Sequence, residues 1–248
     1  MNSYDYYGIF YGYFSNGRFS MTTILAVGPH PDDIEAGMGG SIIKFVTLGY
    51  DVHLLDMTNG EPTPFGSPEI REKEWKQASA LLGVKSRTVL DLPNRYLMDG
   101  IEARKKVAAV IRQVRPEVIF LPYWIDAHPD HTQTTLIGEA ARFYAKFTKS
   151  DIPGDPCYPA QIFYYLCSHF RLHVMPSFVL DISREFEKKL AIAGVYQSQF
   201  AYDDARWEHI SGAITAKNRY YGNLIRADYG EPFMSRELVG LKDIRDLL

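Results

Sequence analysis

Cysteine is scarce in this chain. Only Cys157 and Cys167 occur among 248 residues, too few for a disulfide framework, and they form no Cys-x-x-Cys pair. Any metal must therefore be held by histidine and carboxylate, and the two thiols read as small buried hydrophobes. Positive charge is not in excess either: 27 Lys and Arg stand against 30 Asp and Glu, a formal net charge of −3. That balance excludes the concentrated cationic surface that a nucleic acid or an anionic membrane demands. No apolar run approaches the roughly 20 residues needed to span a bilayer. Internal repeats and long linkers are missing, which favours one domain over two. Residues 1–20 are aromatic and glycine-rich, and lack the basic and continuously apolar segments of a signal peptide. Met21 then leads straight into a strand-like run. The expectation is an N-terminal extension over residues 1–20 and a single domain over residues 21–248, in the cytoplasm.

What is present is an alternation of two periodicities. Short apolar runs at 23–27, 51–57, 87–90, 118–121, 162–166 and 178–180 read as strands. Between and after them, 40–48, 68–82, 101–114, 131–147, 183–196 and 207–223 read as helices. Ser67 followed by Pro68 is a helix start, with serine as N-cap and proline at the first position. Strands alternating with helices of this length predict an α/β fold with a mostly parallel sheet. In such sheets ligands bind beyond the carboxyl ends of the strands. Every loop that leaves a strand is thus candidate site material.

Two of those loops carry metal chemistry. The first strand is followed by Gly28-Pro29-His30-Pro31-Asp32-Asp33, and the fourth by Asp126-Ala127-His128-Pro129-Asp130-His131. A single His-Pro-Asp is ordinary turn chemistry, but two at strand ends of one sheet are not. A catalytic Zn²⁺ takes three protein ligands and leaves a position for water, and two His with one Asp from these loops would suffice. The same donors suit Fe²⁺. An Fe(II) oxygenase also uses two histidines and a carboxylate, but on an all-β fold with a His-x-Asp pair. Gly37-Met38-Gly39-Gly40 follows the first strand but is not the G-x-G-x-x-G of a dinucleotide site. These glycines read instead as permitting close helix-to-sheet packing. His53, His169, His173 and His209 lack the motif spacing and read as structural or peripheral.

The paired motifs resemble those of the LmbE/PIG-L family of zinc-dependent N-deacetylases, which act on N-acetylglucosamine conjugates. The resemblance runs from about Thr22 to the C-terminus. Thr58-Asn59-Gly60-Glu61, Leu92-Pro93-Asn94-Arg95 and Pro176-Ser177-Phe178 are most similar to the bacillithiol-type members, which favours a GlcNAc-malate substrate. Chitobiose, an inositol conjugate or an antibiotic precursor stay open, because Ala127 and Asn94 depart from that subgroup. The resemblance implies a three-layer Rossmann-like fold and His30, Asp33 and His131 as metal ligands. It implies Asp32 as general base, and His128 as oxyanion stabiliser or acid, oriented by Asp130. Arg71 would reach the sugar hydroxyls, with Glu61, Asn94 and Arg95 as further substrate contacts. Some relatives are hexameric or trimeric, which leaves the oligomeric state open between monomer and homo-oligomer; the partner expected at the site is a small N-acetylated amino sugar.

Overall fold

A computed structural model describes residues 22–241. The boundary expected at residue 20 lies outside them. Strand β1 (Thr23–Gly28) sets the layering, because its side chains alternate between two buried faces. Ile24 and Ala26 face one core, and Leu25 and Val27 face the other. A strand covered on both sides reads as continuously apolar, which is why this run carries no polar alternation. Helices α1 (Asp33–Thr47) and α2 (Pro68–Leu82) cover the first face. Helices α3 (Ile101–Val114) and α4 (Pro129–Ala145) cover the second, through Val107, Ile111, Ile137 and Ala141.

The remaining strands are β2 (Asp51–Asp56), β3 (Ser86–Val89), β4 (Val118–Pro122), β5 (Gln161–Tyr165), β6 (Phe178–Asp181) and β7 (Gly230–Met234). They form one seven-stranded sheet in the order β3-β2-β1-β4-β5-β7-β6. The first five strands in that order pair in parallel, and β7 is antiparallel to both of its neighbours. The mostly parallel α/β sandwich expected from the sequence is present. From β1 the chain moves outward through β2 to β3, then returns to place β4 on the other side of β1. The switch point falls between β1 and β4, the place where such sheets open a crevice. Helix α5 (Phe186–Ala193) joins the α1 layer, and α6 (Asp204–Leu224) runs along β7. No helix among the described residues is long and apolar enough to cross a membrane.

Several elements differ from the sequence reading. Helix α1 starts at Asp33, not at residue 40, and Met38 breaks its geometry with φ −142° and ψ 23°. Three glycines in this stretch lower helix propensity and masked its first turns. They are there for close approach. A Cβ on Gly37 would lie 2.4 Å from the Tyr165 ring, and one on Gly40 would lie 2.6 Å from Ile182. Helix α5 is shorter than the expected 183–196. Strand β7 was not foreseen, since Pro232 cannot donate to a ladder and demotes a run that holds it.

A buried polar cluster ties β7 to the irregular α1. Glu231 of β7 accepts the backbone N–H groups of Gly40 (3.0 Å) and Ser41 (2.6 Å), just past the break at Met38. It also accepts from Lys189 Nζ at 2.6 Å, and neither side chain is exposed. Asn218 of α6 completes the set, taking Lys189 Nζ at 3.0 Å and donating to the Gly230 carbonyl. Removing one partner of a buried pair leaves an uncompensated charge. Glu231→Ala is therefore expected to lower the unfolding free energy by roughly 3–5 kcal/mol in urea titration. Adding Lys189→Met should recover only part of that loss, because the Gly40 and Ser41 amides stay without their acceptor.

Candidate active site

The site is built at the carboxyl edges of β1 and β4, which lie side by side. The first loop is held rigidly. Pro29 and Pro31 restrict its backbone, and the Pro29 carbonyl accepts both the amide (3.2 Å) and the hydroxyl (3.1 Å) of Thr58. Asp32 sits just before α1 with φ 136°, a backbone conformation that costs a non-glycine residue roughly 1–3 kcal/mol. Arg71 of α2, almost fully buried, clamps that residue. Its Nη2 donates to the Pro31 carbonyl and, at 3.0 Å, to Asp32 Oδ2. The second loop is a helix start. Pro129 occupies the first turn of α4, and His128 is the N-cap, its Nδ1 accepting from the Asp130 amide at 3.2 Å. A neutral imidazole that accepts at Nδ1 carries its proton on Nε2.

The two loops bring His30, Asp33 and His131 together, with one donor atom of each within 4.8 Å of the others. Asp33 Oδ2 lies 3.1 Å from His30 Nδ1 and 3.4 Å from His131 Nε2. His131 Nε2 is buried and has no hydrogen-bond partner. The other nitrogen of each ring meets a carboxylate. His30 Nε2 is 3.1 Å from Asp130 Oδ2, and His131 Nδ1 is 2.8 Å from Asp126 Oδ2. Metal-bound histidines are held in this way, with the outer carboxylate fixing the tautomer and the ring direction. An unpartnered buried nitrogen, a facing carboxylate oxygen and two carboxylate-backed imidazoles fit a divalent cation.

The electrostatics agree. Asp32, Asp33 and Asp130 crowd around His30. Burial lowers the His30 pKa, but its hydrogen bonds to Asp130 and Asp33 outweigh that and carry it up to about 10. Burial raises Asp33, yet His131 and His30 hold it well below the usual carboxylate range. Burial pushes the Asp32 carboxyl up to about 7, against the pull of Arg71. This surplus of buried negative charge is what a cation would neutralise. Cys167 follows β5, and its Sγ lies 3.4 Å from Asp33 Oδ1. Burial and the neighbouring Asp33 push its thiol well above the ordinary value, so it stays a proton donor.

A cleft of about 250 Å³ opens over the cluster. His30, Asp32, Asp33, His128, His131, Arg71, Asn94 and Arg95 all line it, as the sequence led one to expect. Two expectations need correction. Asp130 does not orient His128 through its carboxylate, which accepts from Arg95 N (2.6 Å) and Leu97 N (3.2 Å) and faces His30. Its link to His128 is the backbone amide. Nor does it raise the His128 pKa overall, since burial and the neighbouring His30 and His131 lower it. Glu61 is outside the cleft, its carboxylate accepting from Thr63 N (2.7 Å) and Thr63 Oγ1 (2.6 Å). It thereby holds the loop beside Arg71 without facing the site.

Other residues enter that the motif spacing did not reveal. His169 was expected to be peripheral, but it lines the cleft and shares Asp126 with His131, at 3.1 Å from Oδ1. Its signal was its position in the loop after β5, another carboxyl edge. Asp126 itself lay inside the second motif. Gln199, Phe200 and Arg206 form the far wall, from the start of α6 and the loop before it. Ser198-Gln199-Phe200 fits the family resemblance without a role attached to it, and nothing in the local sequence marks Arg206.

The GlcNAc-PI de-N-acetylase (PIG-L) family matches residues 25–142, which hold both motifs. The diacetylchitobiose deacetylase of Thermococcus kodakarensis is 33% identical over 224 residues, covering 84% of this chain and 80% of that one. A probable N-acetyl-alpha-D-glucosaminyl L-malate deacetylase 2 of Bacillus anthracis is 28% identical, covering 72% and 81%. The crystal structure of a conserved protein from Thermus thermophilus superimposes with a TM-score of 0.81 at 36% identity, covering 90% and 98%. The match extends well beyond the two motifs and over the whole sheet, and the chain belongs to the PIG-L/LmbE family of N-deacetylases.

Proposed function

We propose that this chain hydrolyses the N-acetyl amide of an N-acetylglucosamine conjugate, with zinc held by His30, Asp33 and His131. The observation that carries the reading is the pair of groups flanking those three donors. Asp32 stands beside them as a buried carboxylate clamped by Arg71, and His128 stands across the cleft with Nε2 as its proton-bearing nitrogen. A cation there would polarise the amide carbonyl and make water acidic near neutral pH. Asp32 takes the proton of the attacking water, with Oδ2 kept in place by Arg71. His128 Nε2–H donates to the carbonyl oxygen as it gains charge. The proton now on Asp32 is in position for the departing amine. Arg71 Nε and Nη1 lie 3.9 Å from Glu61 Oε1 and Glu74 Oε2 without a hydrogen bond, and the guanidinium lines the cleft where sugar hydroxyls would approach.

The mouth of the cleft bears on the aglycone. Arg95 and Arg206 line it, and among the described residues neither forms an ion pair. Arg206 Nε is buried without a hydrogen-bond partner. Two uncompensated guanidinium groups favour an anionic aglycone, such as the malate of GlcNAc-malate. The 33% identity to a diacetylchitobiose deacetylase favours a neutral second sugar instead.

Hydrolysis of GlcNAc-malate, the inositol conjugate and diacetylchitobiose should be compared with the apo and zinc-loaded protein. Chelation is expected to abolish turnover and zinc to restore it; activity in metal-free protein would overturn the mechanism. Asp32→Asn should keep its zinc, read by elemental analysis, while kcat falls about 10²–10⁴-fold. Arg206→Ala should raise KM for the malate conjugate about ten-fold, with little effect on chitobiose. Equal effects on both substrates would remove Arg206 from aglycone recognition.

A further inference from the structure

We propose that Cys167 is a positioning residue for the metal centre, its thiol holding Asp33 to coordination through a single oxygen. This rests on the reading of His30, Asp33 and His131 as ligands. The two oxygens of Asp33 face different neighbours. Oδ2 accepts the backbone N–H of His30 at 3.1 Å and faces both imidazoles. Oδ1 is turned away and meets Cys167 Sγ at 3.4 Å, within reach of a thiol hydrogen bond. A carboxylate can bind a cation with one oxygen or two, and a donor on Oδ1 keeps it from the metal. A thiol is a weak donor. It fixes the direction of the carboxylate while leaving most of the negative charge for Oδ2.

The same residue reaches a second ligand. The Cys167 carbonyl oxygen lies 3.3 Å from His131 Nδ1, beside the Asp126 carboxylate. One residue thus braces a ligand from each motif loop, from a third strand end. Its own place is set by β5, through its amide to the Tyr165 carbonyl at 3.1 Å. It is also set by Gly37 of α1, where a Cβ would come within 3.2 Å of Cys167 Cβ. The glycine that admits the Tyr165 ring also admits the thiol beside Asp33.

The test is zinc affinity of the apo protein, measured by competition with a chromogenic chelator. Cys167→Ser keeps a donor, and Cys167→Ala and Cys167→Val remove it. The serine variant is expected within about three-fold of the parent, and the other two about ten-fold weaker or more, as for other outer-shell partners. Cobalt-loaded parent and Cys167→Ser should share the strong visible absorption of four-coordination. Cys167→Ala should show the weaker bands of a higher coordination number. The melting temperature of each apo variant separates a folding defect from a metal defect. Parent-like zinc affinity in Cys167→Ala overturns the proposal, as does a serine variant as weak as the alanine one. Failure of the parent itself to take up zinc overturns the metal reading, and this proposal with it.

Discussion

Ile24, Leu25 and Ala26 of β1 lie in parallel register with Val118, Ile119 and Phe120 of β4. The two motif loops stand about a hundred residues apart in sequence, and this pairing makes them neighbours. Parallel strands present their carboxyl ends at one edge, so each loop leaves in the same direction. Because β1 and β4 start the two opposite windings of the sheet, their first helices fall on opposite faces. The space between α1 and α4 then stays open above the strands. His30 and Asp33 come from one side of that opening and His131 from the other, and neither loop alone brings the three donors together.

Much of this was legible in the sequence because the functional residues are local and chemically distinctive. His-Pro-Asp-Asp and His-Pro-Asp-His sit at the ends of unmistakable buried strands, and Ser67-Pro68 with Gly83 delimits α2 through ordinary capping chemistry. What was not legible depends on pairings far apart in the chain. Strand β7 holds a proline and a charged residue in five positions, and exists because β5 and β6 flank it. Glu231 looks like a surface charge until Lys189 and the broken helix α1 are placed around it. His169 and Arg206 reach the cleft by way of the β5 edge and the start of α6, which no local pattern announces. The direction of Asp130 was misread because two imidazoles compete for it. His128 is nearer in sequence, but as N-cap it takes the Asp130 amide and leaves the carboxylate to His30.

The charges are arranged in shells. Asp126 and Asp130 stand behind the histidines, and Arg71 stands behind Asp32. A third buried group lies below, where Arg87 binds Asp56 with two hydrogen bonds (2.5 and 3.0 Å) and Glu35 with one (2.6 Å). Tyr196 adds a hydroxyl to Glu35 at 2.7 Å. Glu35 lies two residues beyond Asp33 on α1, and Asp56 ends β2 next to β1. The loop carrying His30 and Asp33 therefore rests on a buried ionic floor in which one guanidinium is shared between two carboxylates.

The backbone at Asp32 has a consequence for how this chain can change. A residue with φ 136° is held there by its surroundings, and glycine would occupy the same place without that penalty. The same replacement would delete the carboxylate that Arg71 clamps at 3.0 Å and leave that buried guanidinium without its partner. Relief of the backbone and retention of the ion pair therefore pull in opposite directions at one codon. A calmer loop at this position would call for a second change at Arg71, so the strained residue and the buried guanidinium are bound to change together.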